Sequence, residues 1–186
     1  MKKTNPELLY PFLLTFGIII LDQLTKLWIV QNIPLNTIGY SFLDSFLRII
    51  HVRNTGVAFS LGAGWSAPVR MVLFTFVPAG VLIGLISYYF QTPEFTKVQR
   101  WAIAGIIGGG FGNIIDRMFR AEGVVDFIDV RFFGLFGMER FPTFNVADSS
   151  VVVCGILLMI TLFITPAEHQ TAQAQPVEPK TKGSDQ

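Results

Sequence analysis

The sequence predicts an α-helical membrane protein with four transmembrane spans and a small sheet outside the bilayer, and three observations carry that expectation. Of its 186 residues, 51% are hydrophobic, the mean hydropathy is +0.52, and the apolar residues come in long runs instead of alternating patches. Four windows, 8–30, 69–90, 101–118 and 146–164, approach the roughly 20 apolar residues that cross a bilayer as helix. Finally, Asp22, Lys26, Asp116, Arg117, Asp126 and Asp148 stand inside or beside those runs. A charge at the bilayer centre costs roughly 2.5–3.5 kcal/mol on insertion scales, so each of these residues is a functional-site candidate.

The first window follows Lys2 and Lys3 in the manner of a signal peptide. It runs too long, however, and carries Asp22 and Lys26 where a small-residue cleavage site belongs, so it reads as a retained span. The connection over 31–68 is too long for an idle turn. Its stretch 47–53 is β-branched and partly alternating, Asn54-Thr55-Gly56 reads as a turn, and 57–60 resumes an extended pattern. A small hairpin or curled sheet on the membrane surface follows, able to hold an extended peptide by strand addition.

The connection over 119–144 mixes Phe127, Phe132, Phe133, Phe136, Phe141 and Phe144 with Arg131, Glu139 and Arg140, the composition of a segment at the headgroup boundary. A lid and a plain interfacial anchor fit it equally. From Pro166 onward no hydrophobic face remains. The expected organisation is one membrane-embedded domain over 1–165 and a disordered cytoplasmic tail over 166–186. Four spans put both termini on one side, and every lysine except Lys26 falls on the termini or the second connection, which marks the cytoplasm. Arg48, Arg53, Arg120, Arg131 and Arg140 in the other two connections blur the count.

A net charge of +1 without a basic stripe argues against nucleic-acid binding. The single cysteine, Cys154, precludes an intrachain disulfide and reads as a small buried hydrophobe, since neither His51 nor His169 is placed to act as its base. Asp126 with Asp129 and Glu122 makes a weak metal site without histidine, so neither metal nor cofactor is expected. A Ser149 or Ser150 pairing with Lys26 has nothing in sequence to bring it together, and no His-Glu-x-x-His motif is present.

Asp22 and Lys26, four apart, share a helix face and neutralise each other. Asn113, Asp116 and Arg117 form one stripe after the glycines 108–110 and 112, which let another helix approach closely. The sharper signal is Val125-Asp126-Phe127 together with Phe144-Asn145-Val146-Ala147-Asp148. With the third helix ending near Asp116 and the fourth beginning near Asn145, the two aspartates meet at one membrane face. Two carboxylates in a low-dielectric site do not both ionise easily, so one keeps its proton, and such a pair can activate water and protonate a leaving amine. Taken singly, either aspartate is more often a helix cap or ion-pair partner.

Five blocks in this order and spacing resemble the lipoprotein signal peptidases, or signal peptidase II family: Asp22-Gln23-Leu24-Thr25-Lys26, Asn54-Thr55-Gly56-Val57-Ala58-Phe59, the glycine run through Asn113-Ile114-Ile115-Asp116-Arg117, Val124-Val125-Asp126-Phe127, and Phe144-Asn145-Val146-Ala147-Asp148. The resemblance covers most of 8–165. It implies four transmembrane helices with a periplasmic β-cradle and a short periplasmic interfacial helix, in the bacterial inner membrane. It also implies an aspartic endopeptidase that removes the signal peptide from diacylglyceryl-modified prolipoproteins just before the lipidated cysteine, acting near the periplasmic face. By the same resemblance Asp126 and Asp148 are the catalytic dyad, Asn54, Gly56, Asn113, Arg117 and Asn145 bind substrate, and Asp22, Lys26 and Asp116 support the site. The expected partners are lipid-modified prolipoproteins and membrane lipid, and the self-contained site suggests a monomer. The rival from another class is a small ion-coupled transporter with a charged relay through the bundle; it predicts charges spread through the depth and an internal repeat, and no repeat is present.

Overall fold

The structure, a computed structural model, describes residues 6–56 and 64–164. The extended stretch expected at 57–60 and the tail expected at 166–186 lie outside the described residues. Helix α1, Phe12–Asn32, follows a 3-10 turn at Pro6–Leu8. Its buried residues are Thr15, Asp22, Lys26 and Ile29, one helix face, while Leu13, Phe16, Ile20, Leu24 and Leu27 are exposed. This inversion, charges inward and leucines outward, is stable only where hydrocarbon replaces water outside.

Helix α2, Ala67–Gln91, widens to a π turn at Val72–Phe76. Pro78 follows directly, and without an N–H it cannot keep the α-helical bond to the carbonyl of Phe74, so the ladder loosens there. Helix α3, Lys97–Phe119, opens with a reciprocal cap in which Thr96 and Gln99 each accept the other's backbone N–H. It is the innermost helix and packs against α1, α2 and α4, the last spanning Val146–Ile164. Glycines of α3 make that packing possible. A Cβ at Gly109 would overlap the carbonyl of Ala147, and one at Gly112 would stand 2.8 Å from Asp22 Oδ2.

The expectation of four transmembrane helices is corrected here. Among the described residues three helical stretches, Pro6–Asn32, Ala67–Gln91 and Val146–Ile164, are long and apolar enough to cross a membrane. The window expected at 101–118 does form helix, as part of α3, but α3 is not among the spans. Lys97, Arg100, Asn113, Asp116, Arg117 and five glycines dilute its hydropathy. The other helices wrap it instead of lipid: residues 102–105, 107–109, 112, 114 and 116 are buried.

The sheet is open, three-stranded and antiparallel in the order β1 (Ile38–Phe42), β2 (Leu47–Asn54), β3 (Val124–Val130). The hairpin turn is therefore at 43–46, not at 54–56, with Leu43, Asp44 and Ser45 all at positive φ. Strand β2 takes its second neighbour from the distant third connection, pairing Val52 with Asp126 and Asn54 with Val124. Ile29, Ile33, Val125 and Phe127 form a core that fastens the sheet to the end of α1, and His51 Nδ1 donates to the carbonyl of Ile33 at 2.8 Å.

In the Phe-rich connection the described helical structure is a single 3-10 turn, Leu135–Gly137, in place of an interfacial helix. Asp129, clamped by Arg48 at 2.6 Å and Arg140 at 2.6 Å, holds this connection to β2. The Tyr89 hydroxyl donates to the carbonyl of Leu8, and Leu158 packs on the cluster of Tyr89, Ile103 and Ile107. The start of α1, the end of α2, the start of α3 and the end of α4 thus share one end of the bundle, and the sheet covers the other.

Candidate active site

Asn145 caps α4, and the cap is reciprocal. Its Oδ1 accepts the N–H of Asp148 at 2.9 Å, and Asp148 Oδ2 accepts the N–H of Asn145 at 3.2 Å. Asp148 does serve the first turn of its helix, as its sequence position suggests, and that bond fixes its carboxyl at the sheet end of the bundle. Asp126 arrives from β3, opposite Val52, and Asn145 Nδ2 reaches it at 2.8 Å. One asparagine therefore holds both carboxyls, Asp126 through its side-chain amide and Asp148 through its backbone.

Three asparagines present donors to the pair, and each has its amide orientation set by an obligate donor behind it. Asn145 Oδ1 faces a backbone N–H, so its NH2 must face Asp126. Asn54 Oδ1 accepts the N–H of Gly56 at 3.0 Å, which turns its NH2 to Asp126 Oδ2 at 3.0 Å. Asn113 Oδ1 accepts from the Lys26 ammonium at 3.0 Å, which turns its NH2 to Asp148 Oδ1 at 2.7 Å. A further link runs from Asn145 Nδ2 to Asn113 Oδ1 at 3.0 Å.

Asp126 is 3% exposed, and that burial, with the charge of Asp148 beside it, pushes its carboxyl up to about 7 against the opposing hydrogen bonds of Asn54 and Asn145. Arg117 lies within electrostatic reach of Asp148, Asp126 and Asp116 and donates to the carbonyl of Gly56 at 3.4 Å. Beside Asn54 and Arg117 opens a cavity of about 380 Å3, also lined by Arg70, Met71 and Phe74 of α2.

Beneath the pair lies a second, wholly buried network. The Lys26 ammonium meets Asp22 Oδ2 at 2.8 Å, Asp116 Oδ2 at 3.1 Å and Asn113, so its three N–H groups have three acceptors. Each carboxylate also grips a backbone next to an aspartate of the pair. Asp22 Oδ1 accepts the N–H of Ala147 at 3.0 Å, and Asp116 Oδ2 accepts the N–H of Val125 at 3.0 Å. These three residues thus locate the starts of α4 and β3 relative to each other.

Gln23 belongs to the same network and was not legible as a site residue in the sequence. Its Nε2 lies 3.1 Å from each of Asp22 Oδ2, Asp116 Oδ1 and the carbonyl of Gly112. The signal for it in the sequence is a polar side chain inside an apolar run, next to Asp22.

Other candidates lie elsewhere. Asp129 is committed to Arg48 and Arg140, and Glu122, 69% exposed, pairs with Arg53. Ser149 and Ser150 donate to the carbonyls of Asn145 and Gly105. Cys154 packs against Gly105, away from both aspartates. Between Arg100 and Asp116 of α3, after Arg70 in α2, after Asp148 in α4 and before Asp22 in α1 the helices carry no charge. Charge therefore lies at the two ends of the bundle, with the buried charges at the sheet end, instead of being spread through the depth, which removes the support for a relay.

Comparison with known proteins gives a consistent picture. The family described as Signal peptidase (SPase) II matches residues 14–164. The lipoprotein signal peptidase of Treponema denticola is 52% identical over 154 residues, 83% of this chain and 88% of that protein. That of Treponema pallidum is 46% identical over 156 residues, covering 84% and 83%. A solved bacterial membrane enzyme, determined by the in meso method at 2.3 Å resolution, superposes with a TM-score of 0.71 at 30% identity over 91% of this chain and 94% of its own.

Proposed function

This chain belongs to the signal peptidase II family, and from that premise we propose that Asp126 and Asp148 are its catalytic pair. The protein is an aspartic endopeptidase of the bacterial inner membrane, multi-pass, that removes the signal peptide from diacylglyceryl-modified prolipoproteins before the lipidated cysteine. The observation that carries the assignment is Asn145, which bonds both carboxyls at once.

Burial and the charge of Asp148 favour the protonated form of Asp126, and in this proposal it is the member that holds the shared proton. Asp148 takes a proton from the water that attacks the scissile carbonyl carbon, while Asp126 passes its proton to the carbonyl oxygen, forming a neutral gem-diol. On collapse one gem-diol hydroxyl returns its proton to Asp126, Asp148 protonates the leaving nitrogen, and the C–N bond breaks. Asn54, Asn113 and Asn145 keep the carboxyls in register through this cycle. Arg117 and Gly56 line the path of the peptide, with the cavity beside Arg70 and Phe74 as its seat. Asp22, Lys26 and Asp116 act through the others, as positioning residues.

Both chain ends lie in the cytoplasm and the pair lies near the periplasmic face. The placement of Lys97 and both described chain ends at the bundle end away from the sheet supports this orientation. Single cysteines at Lys97 and Leu43 in a Cys154→Ser background test it. An impermeant maleimide added to intact spheroplasts labels position 43 alone if the orientation is right, and position 97 if it is inverted. The dyad is tested by Asp126→Asn and Asp148→Asn, each purified in detergent and assayed on a lipidated prolipoprotein. Near wild-type turnover in either folded variant would end the assignment.

A further inference from the structure

Arg120 stands where the cavity beside the aspartates meets the buried network. It follows the last residue of α3, its N–H donating to the carbonyl of Asp116 at 2.7 Å and its carbonyl accepting the N–H of Gly123 at 3.1 Å, so it begins the turn into β3. Its side chain, 22% exposed, lines the cavity together with Asn54 and Arg117. The guanidinium also reaches two acceptors of the network, Asp116 Oδ1 from Nε at 3.4 Å and Gln23 Oε1 from Nη2 at 3.4 Å.

Each acceptor opens a chain of bonds that ends on the backbone beside one aspartate of the pair. Asp116 Oδ2 accepts the N–H of Val125, the residue before Asp126, at 3.0 Å. Gln23 Nε2 donates to Asp22 Oδ2 at 3.1 Å, and Asp22 Oδ1 accepts the N–H of Ala147, the residue before Asp148, at 3.0 Å. These inner bonds have ordinary lengths, whereas the two from Arg120 are long for a charged donor, which closes to about 2.7–2.9 Å. The slack in both chains therefore sits at the cavity wall. Neither chain is needed to neutralise a buried charge, because without Arg120 and Gln23 both carboxylates keep Lys26 and a backbone N–H.

We infer that Arg120 and Gln23 are positioning residues for the aspartate pair: peptide filling the cavity closes Arg120 on both acceptors, and the two chains then draw Val125 and Ala147 to the separation at which the carboxyls work. Substrate binding thereby completes the alignment of the pair. The inference rests on the assignment of Asp126 and Asp148 above and adds to it two residues that act through Asp116 and Asp22.

The test is a double-mutant cycle of Gln23→Met and Arg120→Met in the full chain, purified in detergent and assayed on a lipidated prolipoprotein. Arg120→Met breaks both chains at their origin, and a misplacement of about half an ångström lowers kcat about tenfold. Gln23→Met breaks one chain and lowers kcat about threefold, with KM unchanged because Gln23 is not among the residues that line the cavity. The double variant falls about tenfold, like Arg120→Met alone, where independent effects would multiply to about thirtyfold. The pH profile adds a readout that a smaller folded fraction does not move. Asp148 raises Asp126 against Lys26 and the amides of Asn54 and Asn145, with Arg117 in reach of both carboxyls. A slacker pair weakens that push, so in Gln23→Met the fall of kcat/KM begins at lower pH. Wild-type kcat in Gln23→Met, multiplying losses in the double variant, or an unshifted profile would overturn the inference. Asp126→Asn and Asp148→Asn stay inactive in each of those outcomes, so a failure here is distinct from a failure of the dyad.

Discussion

Replacing Lys26 with Met separates the structural and catalytic parts of this site. In the wild type the ammonium has three acceptors and zero exposure, and it stands between two carboxylates that are themselves fully buried. Its removal leaves Asp22 buried without a cation and Asp116 with only Arg120 at 3.4 Å, which costs about 3–5 kcal/mol. For a chain of this size that is a drop in unfolding temperature on the order of 10 °C. The triple variant Lys26→Met/Asp22→Asn/Asp116→Asn removes all three charges, and its asparagine oxygens can still accept the N–H groups of Ala147 and Val125. Most of the lost stability is expected to return. Activity is not, because Asn113 no longer has a cation behind its oxygen and is free to turn that oxygen toward Asp148. Thermal unfolding in detergent and turnover of a lipidated prolipoprotein read the two effects separately. A single Lys26→Met variant as stable as the wild type would refute the buried-charge argument, and a triple variant with full turnover would refute the orienting role.

The remaining predictions concern the pair and its packing. With Asp126 held near 7, kcat/KM falls as pH rises through about 7, because the acid loses its proton. The same raised value means the folded chain binds the proton more tightly than the unfolded chain, so the Asp126 contribution to stability is complete below about 4 and lost as pH rises to about 7. Unfolding of Asp126→Asn followed against pH should lack that slope. Asn145→Ala removes a helix cap, about 1 kcal/mol of stability, but unfastens both carboxyls, so turnover should fall on the order of 100-fold, a disproportion that steady-state assay and thermal unfolding together would reveal. Gly109→Ala drives a methyl into the carbonyl of Ala147 and should cost about 1–3 kcal/mol in unfolding measurements, whereas Gly155→Ala, with open space around it, should cost nothing comparable.

The primary structure by itself determined a helical membrane protein with displaced ionisable residues, and the motif blocks determined the family and its reaction. Charges in hydrocarbon are so unfavourable that their positions alone mark a site, whatever the fold. It did not determine the number of apolar spans. A window of hydropathy cannot distinguish a helix bathed in lipid from α3, whose glycines and charges are wrapped by three neighbours. Nor did it determine the strand order. The pairing of β2 with β3 joins Val52 to Asp126 across more than seventy residues, and no local turn signal encodes so distant a partner. Only the tertiary structure decided that the asparagines are oriented from behind, by Lys26, by the N–H of Gly56 and by the N–H of Asp148. An amide offers a donor and an acceptor in nearly the same shape, so which one faces a carboxylate depends on what stands on its other side, and that is set by packing.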